Sequence, residues 1–94
     1  AMEGLIKMHM AKVIGNVVAT RKDKSLVGYK LMVVKKINTK CEFIGDEEVA
    51  ADYVGAGIGE YVLLCKGSAV RVDEQKHNIA VDLAIIGIID NVDA

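Results

Sequence analysis

The chain of 94 residues has no proline and no tryptophan, and its only aromatic rings are Tyr29, Phe43, Tyr53 and Tyr61. A core built around large rings is excluded, so Val, Ile, Leu and Ala must fill the interior. Net charge is also scarce: 12 Lys and Arg against 13 Asp and Glu leave −1 at pH 7. No overall field therefore draws the chain to nucleic acid or to an anionic membrane. No uninterrupted run of about 18 apolar residues exists, so no membrane-spanning helix is expected. The long apolar region and cleavage site of a signal peptide are missing as well. These absences lead us to expect an intracellular protein in which Cys41 and Cys65 are reduced thiols.

Metal and cofactor chemistry lack a foundation. Cys41, Cys65, His9 and His77 are widely scattered, with no Cys-x-x-Cys and no paired-histidine spacing. No metal and no cofactor is expected. Cys65 lies in an apolar run and reads as a small core residue. His77 lies in a polar stretch and reads as exposed.

What the sequence does contain is aliphatic surface, with 52% hydrophobic residues against 27% charged. A domain of this length buries only about 60–65% of the surface its unfolded chain exposes. A surplus of apolar side chains follows, and a subunit interface is the natural place for it.

Residues 1–9 have no clear period and read as a leader or an expression remnant, expected to be disordered, with Met8 or Met10 as an alternative start. One domain is expected over residues 10–94. Period-two and β-branched patterns place strands at 13–20, 29–37, 49–54, 61–66 and 85–90, with a short extended piece at 41–44. In the second strand Tyr29, Leu31, Val33, Lys35 and Ile37 share one face, and Met32 and Val34 the other. The stretches 21–25 and 73–78 read as polar loops, and Gly45-Asp46-Glu47-Glu48 as a solvated acidic turn. Asp82 is expected to cap a single helical turn around Leu83 and Ala84. The fold class that results is all-β, a small antiparallel five-stranded barrel with at most one short helix.

One stretch stands out: Asp52-Tyr53-Val54-Gly55-Ala56-Gly57-Ile58-Gly59-Glu60. A dinucleotide fingerprint needs a third glycine where Glu60 stands, and it must open a helix, whereas a strand pattern follows here. A Walker-type loop fails for want of Gly-Lys-Ser/Thr. Phosphate binding is excluded at this stretch. Two readings of the glycines stay open: a tight hairpin turn, or a place where neighbouring subunits pack closely. Asp52 and Glu60 flank the turn with no histidine, activated serine or aromatic wall beside them. Bonds to backbone amides or to a neighbouring subunit therefore suit them better than acid–base catalysis. Arg21, Lys22, Lys24, Lys30, Lys35 and Lys36 make the first third basic, but only Tyr29 is interleaved with them. A solvated lysine-rich edge is the plainer reading, and a single-stranded nucleic-acid-binding module is the alternative.

Taken in order, five blocks form a more specific pattern: Gly15-x-Val17-Val18-Ala19-Thr20; Leu26-x-Gly28-x-Lys30-Leu31; Asp52-x-x-Gly55-Ala56-Gly57-x-Gly59-Glu60-x-Val62-Leu63; Gly67-Ser68-Ala69; and Val81-Asp82-x-Ala84-Ile85-Ile86-Gly87-Ile88-Ile89-Asp90. This set resembles the pentameric vertex proteins of bacterial microcompartment shells, a family that includes the ethanolamine-utilisation and carboxysome shell pentamers. The resemblance implies a barrel related to the OB-fold, assembled as a homopentamer that closes a cytoplasmic microcompartment shell at its vertices. It also implies a structural role without catalysis, hexameric shell proteins as partners, and neither nucleic acid nor membrane. The family's central opening places Asp52, Gly55, Ala56, Gly57, Ile58, Gly59 and Glu60 at the subunit interface and around that opening.

Overall fold

Alternating apolar side chains in five segments produce five strands that close on themselves in a computed structural model describing residues 6–19, 24, 28–67 and 82–93. The strands are β1 (Ile6–Val17), β2 (Lys30–Ile37), β3 (Phe43–Asp52), β4 (Tyr61–Gly67) and β5 (Leu83–Ile88). Around the barrel they run β1-β2-β3-β5-β4, with β4 returning to β1. Every pair is antiparallel except β3–β5, which is parallel and short: Ala51 faces Ala84, and Asp52 faces Ile85. The expected barrel is present, with this one parallel seam added.

Strand β1 serves two neighbours. Its first part, Ile6 to Lys12, pairs with β4, and Ala11 to Val17 pairs with β2. A bulge between Val13 and Gly15 bends the strand between the two tasks. Inward-facing Ala11, Val13, Met32, Val34, Ala50, Val62, Leu64, Leu83 and Ile85 form the core, joined by Ala56 from a loop. Met32, Leu64, Ile85, Val13, Val34 and Val62 are the largest fully buried side chains. Each stabilises the fold by about 1.5–3 kcal/mol relative to exposure. Met32 and Val34 on one face of β2 match the pattern read from the sequence.

Several expectations are corrected. The first strand reaches further back than residue 13: β1 starts at Ile6, because the residues before Met10 gain a partner strand in β4. Gly45-Asp46-Glu47-Glu48 is not a turn but lies within β3, whose register sets Lys35 opposite Glu47 and Val34 opposite Glu48. Local acidity suggested a turn; cross-strand pairing with a lysine-bearing strand overrides it. The turn sits instead at 38–42, where the amides of Lys40 and Glu42 donate to Asn38 Oδ1 at 2.8 and 3.0 Å. Leu83 and Ala84 belong to β5 rather than to a helical turn, since β4 and β3 flank them. Among the described residues there is no α-helix. The loop readings at 21–23 and 73–78, with His77, lie outside the described residues.

Candidate functional site: the loop between β3 and β4

The glycine stretch connects β3 to β4, and these strands are not neighbours, because β5 lies between them. The hairpin reading is therefore overturned: the loop crosses one end of the barrel. Asp52, the last residue of β3, organises its first half. The amides of Val54 and Gly55 each donate to Asp52 Oδ1 at 3.0 Å, and that of Ala56 donates to Oδ2 at 2.9 Å. A carboxylate at 8% exposure is tolerated because both oxygens are occupied by these amides. Gly55, with φ +79°, supplies the left-handed step that turns three successive amides towards one side chain. Ala56, fully buried, then drops into the core and caps that end. Lys30 Nζ reaches the Ala56 carbonyl at 3.4 Å.

Glu60 organises the second half. Its Oε1 accepts from the Gly57 amide at 2.6 Å, while its own amide donates to the Gly57 carbonyl at 3.1 Å. The loop is pinned to β1 by two further bonds, from the Gly59 amide to the Val13 carbonyl at 2.8 Å and from the Val13 amide to the Glu60 carbonyl at 2.9 Å. Asp52 and Glu60 thus each hold their own half of the loop and do not form an acid–base pair. A cavity of about 250 Å³ lies elsewhere, lined by Ile37, Thr39, Cys41, Tyr61 and segment 89–92.

The three glycines are not equivalent. Gly55 and Gly59 have positive φ, and nothing among the described residues lies within 4 Å of where a Cβ would sit. Conformation, not crowding, requires them. Gly57 has no such φ, and a Cβ there would meet only Glu60 Oε1 at 3.5 Å, an ordinary contact. Beside it the loop exposes Tyr53, Val54 and Ile58, the last at 62%. Tyr53 stacks at a tilt on Tyr29, ring centroids 5.2 Å apart. This end of the barrel is a loop held by hydrogen bonds at both halves, with apolar Tyr53, Val54 and Ile58 on its outer surface between glycines.

The other candidates disperse. Among the described residues, no three of His, Cys, Asp and Glu converge as metal ligands. Cys65 is buried in a small second cluster with Ala84 and Ile86, and Cys41 is exposed with φ 62°. The lysines near the proposed basic edge point to different tasks: Lys35 lies over the Phe43 ring at 4.9 Å, Lys30 serves the glycine loop, and Lys36 pairs with Glu48. Among the described residues no continuous stacking groove forms from them.

A sequence model of the family described as "Ethanolamine utilisation protein EutN/carboxysome" matches residues 8–90. The chain belongs to this family. Among EutN/CcmL relatives, the chain is 45% identical over 89 residues to the bacterial microcompartment shell vertex protein PduN of Salmonella typhimurium, covering 90% of this chain and 98% of that protein. It is 44% identical over 85 residues to the carboxysome shell vertex protein CcmL of Synechocystis, covering 90% and 85% of the two chains. Its fold is similar to that of the GrpN pentameric microcompartment shell protein from Rhodospirillum rubrum, with a TM-score of 0.81 at 43% identity over 92% of this chain and 98% of that one. In this EutN/CcmL member the residues missed by sequence reasoning are Val13 and Lys30, whose backbone and side chain hold the loop from other strands. Nothing local in the sequence signals either role.

Proposed function

We propose that this protein is a structural subunit that assembles as a ring of five and closes the vertices of a polyhedral bacterial microcompartment shell, without catalysing a reaction. The observation that carries the proposal is the near-full-length likeness, at 43% identity, to a pentameric shell protein. Geometry explains why such a part is needed. Hexagonal tiles make a flat sheet, and closure into a polyhedron requires five-sided units at the corners. A ring generated by rotation joins two different patches of each subunit, which suits a barrel that exposes Phe43, Ile44, Val49, Tyr53, Val54 and Ile58.

In this reading the ring's external partners are hexameric shell proteins, and Asp52, Gly55, Ala56, Gly57, Ile58, Gly59 and Glu60 lie at the subunit interface around a central opening. Asp52 and Glu60 act by holding the loop in shape, so that Gly57 and Ile58 face the neighbouring subunit. Native mass spectrometry tests the ring directly: the expected mass is five times the protomer's 10.1 kDa. A folded monomer at micromolar concentration overturns it. Co-expression with hexameric shell proteins is expected to give closed particles, and open sheets when this chain is omitted.

A further inference from the structure

At the barrel end opposite the glycine loop, several positions on the inward side of the strands are ionisable. The register that directs Ala11 and Val13 inward directs Lys7 and His9 to the same side of β1. Likewise Lys36 of β2 lies opposite Ala11, Glu48 of β3 opposite Val34, and Lys66 of β4 opposite Lys7. β5 contributes the buried, uncharged Leu83 at this level. Glu48 is shared: Lys36 Nζ approaches Oε1 and Lys66 Nζ approaches Oε2, each at 3.8 Å. Two lysines therefore share a single carboxylate, and a third, Lys7, faces Lys66 across the β1–β4 seam. Like charges directly opposite on one face destabilise a strand pair.

We propose that this end of the β1–β4 seam is an acid-sensitive latch: a proton taken up by His9 adds a further positive charge to the inward cluster, and segment 6–10 of β1 releases from segment 63–67 of β4. Glu48 is already divided between two ammonium groups, so its single negative charge is outnumbered by the lysines around it. His9 pairs with Leu64, one rung into the barrel from the Lys7–Lys66 pair, so its charge would arise where the seam is already strained. Burial of the imidazole, and then Lys36, Lys66 and Lys7, hold its pKa below the ordinary histidine value, with Glu48 opposing. A released, solvated His9 titrates at the ordinary value, so the opened strand takes up the proton first as the pH falls. Seam stability is full above the ordinary histidine range and is lost as the pH drops to the lowered pKa of the closed state.

Hydrogen exchange on the assembled protein, compared between about pH 8 and about pH 5 and corrected for intrinsic exchange, tests the latch. Protection at 6–10 and 63–67 is expected to fall by about tenfold for each unit by which the closed-state pKa is depressed. The register between Met32 and Ala50 keeps its protection. His9→Gln is expected to abolish the acid step while preserving protection at the higher pH, and Lys66→Gln to reduce the step. An equal step in His9→Gln, no step in the wild type, or an equal loss across β2 and β3 overturns the latch. An NMR titration of the wild-type His9 ring provides a test that requires no variant, and a pKa at or above the ordinary histidine value overturns it as well.

Discussion

The two ends of this barrel are closed by opposite means. At the glycine-loop end, Asp52 holds residues 54 to 56 and Glu60 holds residue 57, so each carboxylate is satisfied by amides within four positions of itself. At the far end, Lys7, His9, Lys36, Glu48 and Lys66 come from four strands, and the links to Glu48 from Lys36 and Lys66 are ion pairs of 3.8 Å, longer than a direct hydrogen bond. The first end closes by short, directional and local bonds, the second by charge alone. The short bonds thus lie where a neighbouring subunit is proposed to pack, and the long ion pairs lie at the opposite end.

The largest effect that would break this comparison is expected from Asp52→Ala. Three loop amides lose their acceptor, one of them buried, and a loss of about 3 kcal/mol in stability follows. Chemical denaturation checks it, and the loss should be nearly independent of added salt. A loss below about 1 kcal/mol would mean that Asp52 does not organise the loop.

Next come the glycines. Gly59→Ala forces a Cβ into φ +94° and should cost about 1–2 kcal/mol. Gly57→Ala should change protomer stability by no more than about 0.5 kcal/mol, because the chain itself leaves room there. Gly57→Val sharpens the contrast: with the barrel still folded by circular dichroism, native mass is expected to shift from the ring towards smaller species. An unchanged and equally heat-stable ring would remove Gly57 from the interface.

The smallest effect belongs to the charged end. Glu48→Gln removes a carboxylate whose side chain is 32% exposed, so a loss under about 1 kcal/mol is expected, shrinking further in high salt. A larger, salt-independent loss would mean that the two ends do not differ in kind.

Much of the barrel was legible from residue pattern. Met32 and Val34 alternate inward in β2 as their spacing indicates, and Tyr61 opens β4 directly after the glycines. The acidic run at 45–48 was misread because four polar or flexible residues in a row resemble a turn. Their strand state depends on β2, a partner that no local window contains. The same holds for residues 6 to 9, which have no period of their own and join β1 only because β4 runs alongside. In the loop, the special status of Asp52, Gly55 and Glu60 could be suspected from spacing. The different demands on Gly55, Gly57 and Gly59 could not, since they depend on φ and on surrounding space.

The order of side chains along the chain by itself determined that this protein is β-rich, aliphatic-cored and a member of the EutN/CcmL family, because period, turn chemistry and ordered motifs are local properties of a sequence. Only the tertiary structure decided that β5 inserts beside β3 in parallel, that the glycine stretch spans a barrel end instead of a hairpin, and that Lys7, Lys36 and Lys66 of three strands share one side of the barrel with His9. Those outcomes follow from which strands become neighbours when the sheet closes, and closure is set by the burial of all five apolar faces together.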